Sequence, residues 1–133
     1  MRSIGLAWIA LLVLQLPEPA PAQDSEIVVR GDARRTAIER ILEADNLDTA
    51  RLSPAQVAEA MRAIDRGRAP HDFWVAYRAH VLAWTRLAAA PEQSEEAVRA
   101  GAAIDVSFDE VERIARAYGA RLPPPRWKPA AAS

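Results

Sequence analysis

Between Pro70 and Ala89 the chain places Phe73, Tyr77, His80, Trp84 and Leu87 at successive spacings of four, three, four and three. That repeat brings all five side chains onto one face of an α-helix, with Val81 and Ala88 widening the stripe. A helix whose apolar face carries three aromatic rings is stable only when that face is covered, so this segment is expected at the centre of the fold. Pro70 suits a helix start, and Asp72 puts a carboxylate near the exposed N–H groups of the first turn. Trp74, Arg78, Leu82 and Thr85 fall on a different side, making Trp74 either an exposed aromatic or a contact with another helix.

The covering elements are also expected to be helices. From Asp32 onward, Ile38, Ile41 and Leu42 share a face, with Asn46 as the stop and Leu47 and Leu52 pinning the following loop. Ser53-Pro54-Ala55-Gln56 combines an N-cap serine, a first-position proline and a glutamine able to reach back to the cap. The helix it opens carries Val57, Met61 and Ile64 inward and is predicted to run to Gly67. Arg62 and Arg66 near that end favour the negative pole of the helix dipole, although an anion site would also use such a pair. A fourth helix is expected from Pro91 to about Ala103, where Gly101 would allow a neighbouring backbone to approach. A fifth is expected after Ser107, whose spacing to Glu110 matches a capping box with Val106 and Val111 as staple. Phe108, Val111, Ile114, Ala115 and Tyr118 form its inner face, and Gly119 stops it. The prediction is an all-α bundle of four to five helices over residues 32–119.

The two ends have a different character. Arg2 precedes an uncharged apolar run over residues 4–16, followed by Pro17, Pro19 and Ala20-Pro21-Ala22. This is the layout of a secretory signal over residues 1–22, cleaved between Ala22 and Gln23. The apolar run is well short of the roughly 20 residues that cross a bilayer, so no stable membrane insertion is expected after cleavage. Residues 23–31 read as a flexible arm at a new N-terminus. Residues 120–133 contain Pro123-Pro124-Pro125 and Pro129, which favour extended chain over helix and predict a loose Pro-rich tail.

Composition narrows the chemistry. The absence of cysteine removes thiol nucleophiles, thiolate metal sites and disulfides, and a formal charge of −1 gives no bulk attraction to nucleic acid. His71 and His80 are the only histidines, nine residues apart, without the short spacing of a two-histidine metal face. No GxSxG elbow or phosphate-binding glycine loop occurs, and the acidic pairs Glu95-Glu96 and Asp109-Glu110 lie where helix dipoles account for them. Neither a catalytic set, a metal site nor a cofactor is therefore expected. His80 has two readings: a ligand contact or general base in an apolar pocket, or a core histidine satisfied by a carbonyl, hydroxyl or carboxylate. The second is preferred.

These observations predict an exported bacterial helical protein, periplasmic or extracellular, that works without catalysis. The first expectation is contact with a protein partner or a second copy in the cell envelope. The alternative is a small-ligand binder with a pocket between helices around Tyr77, His80 and Trp84; an enzyme using His80 with Asp72 or an unplaced Glu ranks last. Cleavage at the expected site leaves Gln23 at the N-terminus of protein recovered from the periplasm of an expressing bacterium. Edman sequencing or intact mass would read this directly, and retention of residues 1–22 on the recovered chain would refute the signal assignment.

Overall fold

The computed structural model describes residues 22–126, with side chains described from Arg30 onward. The predicted signal up to Pro21 and the tail beyond Arg126 lie outside the described residues. Four helices and no strands occur among the described residues: α1 (Ala22–Asp45), α2 (Pro54–Arg62), α3 (His71–Ala89) and α4 (Glu95–Ala117). No described helix is long and apolar enough to cross a membrane. Helix α1 begins at Ala22 and so includes residues 23–31, where the sequence predicts an arm.

The aromatic stripe organises the packing. Phe73, Tyr77 and His80 of α3 are buried, while α4 and α2 pack along the same helix and α1 meets α2 and α4. Ile38, Ile41 and Leu42 of α1, Val57 and Met61 of α2, and Val111, Ile114 and Ala115 of α4 complete one core with Phe73 and Tyr77. Trp74 is not an exposed aromatic: it is half-buried against the core and stacked on Tyr77 of its own helix, with ring centroids 5.6 Å apart. Each buried aliphatic side chain of this set contributes roughly 1.5–3 kcal/mol by leaving water.

The start of α2 forms as its sequence predicts. Gln56 donates its backbone N–H to Ser53 Oγ at 3.2 Å, and Ser53 donates its own N–H to Gln56 Oε1 at 2.9 Å. Its end differs, because the last helical residue is Arg62 with Ala63 as C-cap. Gly67 instead sits in the connection to α3 at φ 55°, and Arg66 donates from Nε to the Ala69 carbonyl rather than facing a helix dipole.

The larger correction concerns the expected fourth and fifth helices, which are one. Helix α4 is capped by Ser94, whose Oγ accepts from Ala97 N at 3.1 Å, and runs unbroken through the predicted start at Ser107. Its inward set of Ala97, Ala100, Ile104, Phe108, Val111, Ala115 and Tyr118 keeps one helical phase across the supposed break. No proline or glycine interrupts residues 102–118. Ser107 is thus an interior residue whose hydroxyl donates to the Ile104 carbonyl at 3.0 Å, and Val106, expected in a staple, is 71% exposed. Gly119 does stop the helix, at φ 76°. Gly119 N donates to Arg116 O and Ala120 N to Ala115 O, the paired bonds of a Schellman closure.

Ala120–Arg126, expected as the beginning of a loose tail, returns along α1. Asn46 donates from Nδ2 to Pro124 O at 2.9 Å and accepts from Arg126 N at 3.2 Å, and the Arg126 guanidinium meets Glu43 at 3.2 Å. Leu122 of the same segment packs on the core.

Two glycine-to-alanine changes should act with opposite sign. A Cβ at Gly101 would meet nothing within 4 Å, so Gly101→Ala gains helix propensity and stabilises by up to about 1 kcal/mol. Gly119 is equally uncrowded, with only Arg35 Cδ at 4.0 Å, but its left-handed backbone makes Gly119→Ala destabilising by about 1–2 kcal/mol. Urea unfolding midpoints of the two variants would check the pair.

Candidate functional site

Where α1 ends, its last residues face the middle of α3 and α4 across a cleft of about 650 Å³. Leu42, Val57, Met61, Trp84, Ile104 and Phe108 give it a mainly apolar wall, and Leu122, Pro123 and Pro125 of the returning tail form one side. Asp45, His80, Asp105 and Glu112 contribute its ionisable groups. The volume lies within the range of clefts that hold small organic molecules.

Of the three predicted ligand-binding residues, the structure brings His80 and Trp84 to the cleft. Tyr77 lies behind the wall, fully buried, and reaches the site only through its hydroxyl, which donates to Asp45 Oδ1 at 3.1 Å. Burial, followed by the neighbouring Asp45 charge, pushes the Tyr77 hydroxyl well above the ordinary phenol range, so it remains a donor. Sequence reasoning missed Asp45, which looks like one more charge at a helix end. The signal available was indirect: a tyrosine in a buried stripe needs a partner for its hydroxyl.

Asp45 has no ion-pair partner among the described residues. Burial raises its carboxyl to about 7, against the lowering effect of the Tyr77 hydrogen bond. His80, 3% exposed, behaves oppositely: burial lowers its imidazole to about 4, despite the Ile104 carbonyl and the Asp105 charge, which favour protonation. At neutral pH the histidine is therefore uncharged.

His80 Nδ1 lies 2.8 Å from Ser107 Oγ. Because the Ser107 hydroxyl has one proton and directs it to the Ile104 carbonyl, both contacts are hydrogen bonds only when Nδ1 carries the imidazole proton. A serine receiving a proton from histidine is not set up as a nucleophile, and Ser107 does not line the cleft. The hydroxyl partner is among those expected for a core histidine, while His80 also lies 5.2 Å from the Phe108 ring at the cleft wall.

The pairing of His80 with Asp72 does not form. Asp72 lines a separate open groove of about 570 Å³ with Arg34, Arg66, Arg68, His71 and Tyr118. Its Oδ1 accepts from Tyr118 at 2.9 Å and from Phe73 N at 2.8 Å. Among the described residues, no group of three or more acidic or histidine side chains is placed to hold a metal ion.

Comparison with known proteins finds no matching family model, curated protein or solved structure. Function is therefore argued from the cleft itself.

The two shifted groups in the cleft oppose each other in the pH dependence of stability. In the unfolded chain they titrate near about 3.9 and 6.5. Between roughly pH 4 and 6.5, folded Asp45 holds a proton that the unfolded state has released, so its contribution falls as pH rises. Over the same interval unfolded His80 binds a proton that the folded state refuses, so its contribution rises with pH. Asp45→Asn leaves the rising limb, with a slope of up to about 1.4 kcal/mol per pH unit, and His80→Gln leaves the falling one, extending to about pH 7. Urea midpoints from pH 4 to 8 for both variants would show the divergence; curves parallel to the wild type would contradict the assignment.

Proposed function

We propose that this chain is a non-enzymatic binding protein that holds a small, mainly apolar ligand in the cleft between the end of α1, α3, α4 and the returning tail. The single observation behind the reading is the cleft, in which apolar side chains from all four helices surround a few polar groups. Trp84 and Phe108 offer aromatic surface, Ile104 and Leu42 aliphatic surface, and His80 and Asp45 hydrogen-bonding capacity. This places the ligand reading ahead of protein contact, the first expectation from sequence. Protein contact draws support from exposed Val75, Leu82, Val98 and Val106, but these are spread over two helices and line neither groove. Export by residues 1–22 belongs to the same proposal and would place the binding site in the periplasm or outside the cell.

The absence of a catalytic role is part of the reading. General base chemistry near neutral pH works best with a group titrating there, and burial holds His80 far below that range. Asp45 does titrate near neutrality, yet its side-chain partner is the Tyr77 hydroxyl, and no serine lines the cleft among the described residues.

Tryptophan fluorescence tests the proposal. Trp84 lines the cleft whereas Trp74 stacks on Tyr77 away from it, so a bound aromatic or aliphatic ligand should change Trp84 emission and raise the melting temperature. In Trp84→Phe the emission change should disappear while calorimetry still detects binding. A screen of apolar metabolites that yields neither an emission change nor a melting shift would defeat the ligand reading.

A further inference from the structure

The charge inventory of the cleft separates one ligand class from others. Among the described residues its lining includes Asp45, Asp105 and Glu112 but no lysine or arginine, and His80 is neutral at pH 7. Glu112 is already paired with Arg116 at 2.9 Å. Asp45 and Asp105 have no such partner among the described residues, and Asp45 accepts one side-chain hydrogen bond, from Tyr77. An anionic head entering this space would lose water beside two acidic groups with no described cation to meet it. A cationic head would meet a partly buried carboxyl with spare acceptor capacity and aromatic side chains nearby.

We propose that the cleft selects apolar molecules carrying a protonated amine, with the ammonium on the Asp45 carboxylate and the hydrocarbon or aromatic body against Trp84, Ile104 and Phe108. The inference rests on the reading of this cleft as a ligand site and adds the head group that site takes. The roles divide by position. Asp45 stands at the end of α1, where the Tyr77 hydroxyl orients its carboxyl, while Trp84 and Phe108 come from the two helices opposite. Asp105, on α4, strengthens the negative potential without a described partner of its own.

Ammonium binding favours the ionised form of Asp45, so complex formation below the Asp45 titration point must expel the carboxyl proton to solvent. The groups facing this event are Tyr77 and His80 from α3 and Asp105 and Glu112 from α4. Tyr77 remains a protonated donor and His80 a neutral ring near pH 6.5, so neither supplies the released proton.

Three head groups on shared bodies test the proposal: 4-phenylbutylamine, 4-phenylbutanol and 4-phenylbutyrate, with a second trio on a 3-(naphthyl)propyl body. Binding is measured by titration calorimetry and Trp84 emission on protein recovered from cells expressing the full chain. At pH 7.5 each amine should bind about tenfold or more tightly than its alcohol, and each carboxylate should bind worst. Repeating the amine titration at pH 6.5 in buffers of different ionisation enthalpy should reveal proton release, which fades above pH 8. Asp45→Asn should abolish both the amine preference and the proton release. An alcohol or carboxylate that matches the amine, or an amine preference that survives Asp45→Asn, would overturn the head-group assignment with the cleft reading intact. Failure of all six compounds to bind would overturn the cleft reading and this inference together. The comparison among heads uses the wild-type protein, so it stands even if the variant does not fold.

Discussion

The buried face of α3 carries two hydrogen-bonding groups, the Tyr77 hydroxyl and the His80 ring, and the arrangement of the other helices follows from partnering both. An unpartnered polar group in a core costs about 1–3 kcal/mol, comparable with burying an entire aliphatic side chain. Tyr77 finds Asp45 at the end of α1, and His80 finds Ser107 in the middle of α4. Apolar packing alone would allow these helices to slide along α3, because hydrophobic contact is not directional. The two hydrogen bonds reduce that freedom, one tying α3 to α1 and the other tying it to α4. The cleft occupies the space between the elements so held.

His80 also explains why α4 is continuous. A helix start at Ser107 would use its hydroxyl for a backbone N–H one turn later, as Ser53 and Ser94 do for their helices. Here the same hydroxyl is turned to the preceding carbonyl and the histidine. Serine in a helix interior ordinarily weakens it by competing for the backbone. At Ser107 that competition is offset by a bond that no aliphatic residue at the position could make with His80.

Much of this fold could be read from the chain before the structure was known. The α3 stripe, the Ser53 cap, the Gly119 stop and the inner faces of α1 and α4 all rest on local chemistry, which sequence displays directly. The false break at Ser107 shows the limit of local signals: Ser-x-x-Glu marks a cap only if the helical phase is interrupted, and here Ile104, Phe108 and Val111 carry it through. Of the site, His80 and Trp84 were visible because they lie on the stripe. Asp45 was not, since its importance arises from a tyrosine 32 residues away, and that separation is closed only by folding. The docking of Ala120–Arg126 was hidden for a similar reason. Two of its anchors are backbone groups of the tail held by Asn46, and backbone groups leave no mark in residue type.

Asp45 is the place where local choice and global fold disagree. An asparagine there could accept the Tyr77 hydroxyl equally well through its side-chain oxygen, without the cost of burying an ionisable group. Aspartate instead gives a carboxyl raised to about 7 with no cation beside it among the described residues, so near neutral pH the fold either holds an extra proton or tolerates a poorly solvated charge. Elsewhere the chain settles its charges cheaply, with Glu110–Arg113 and Glu112–Arg116 meeting on the α4 surface. Departures from consistency of this kind concentrate at sites whose requirement is something other than stability. An acid without a described cation, held by the hydroxyl of a buried tyrosine at the edge of an apolar cleft, carries the cost that the proposed binding role would account for. A cation entering the cleft would supply the missing partner.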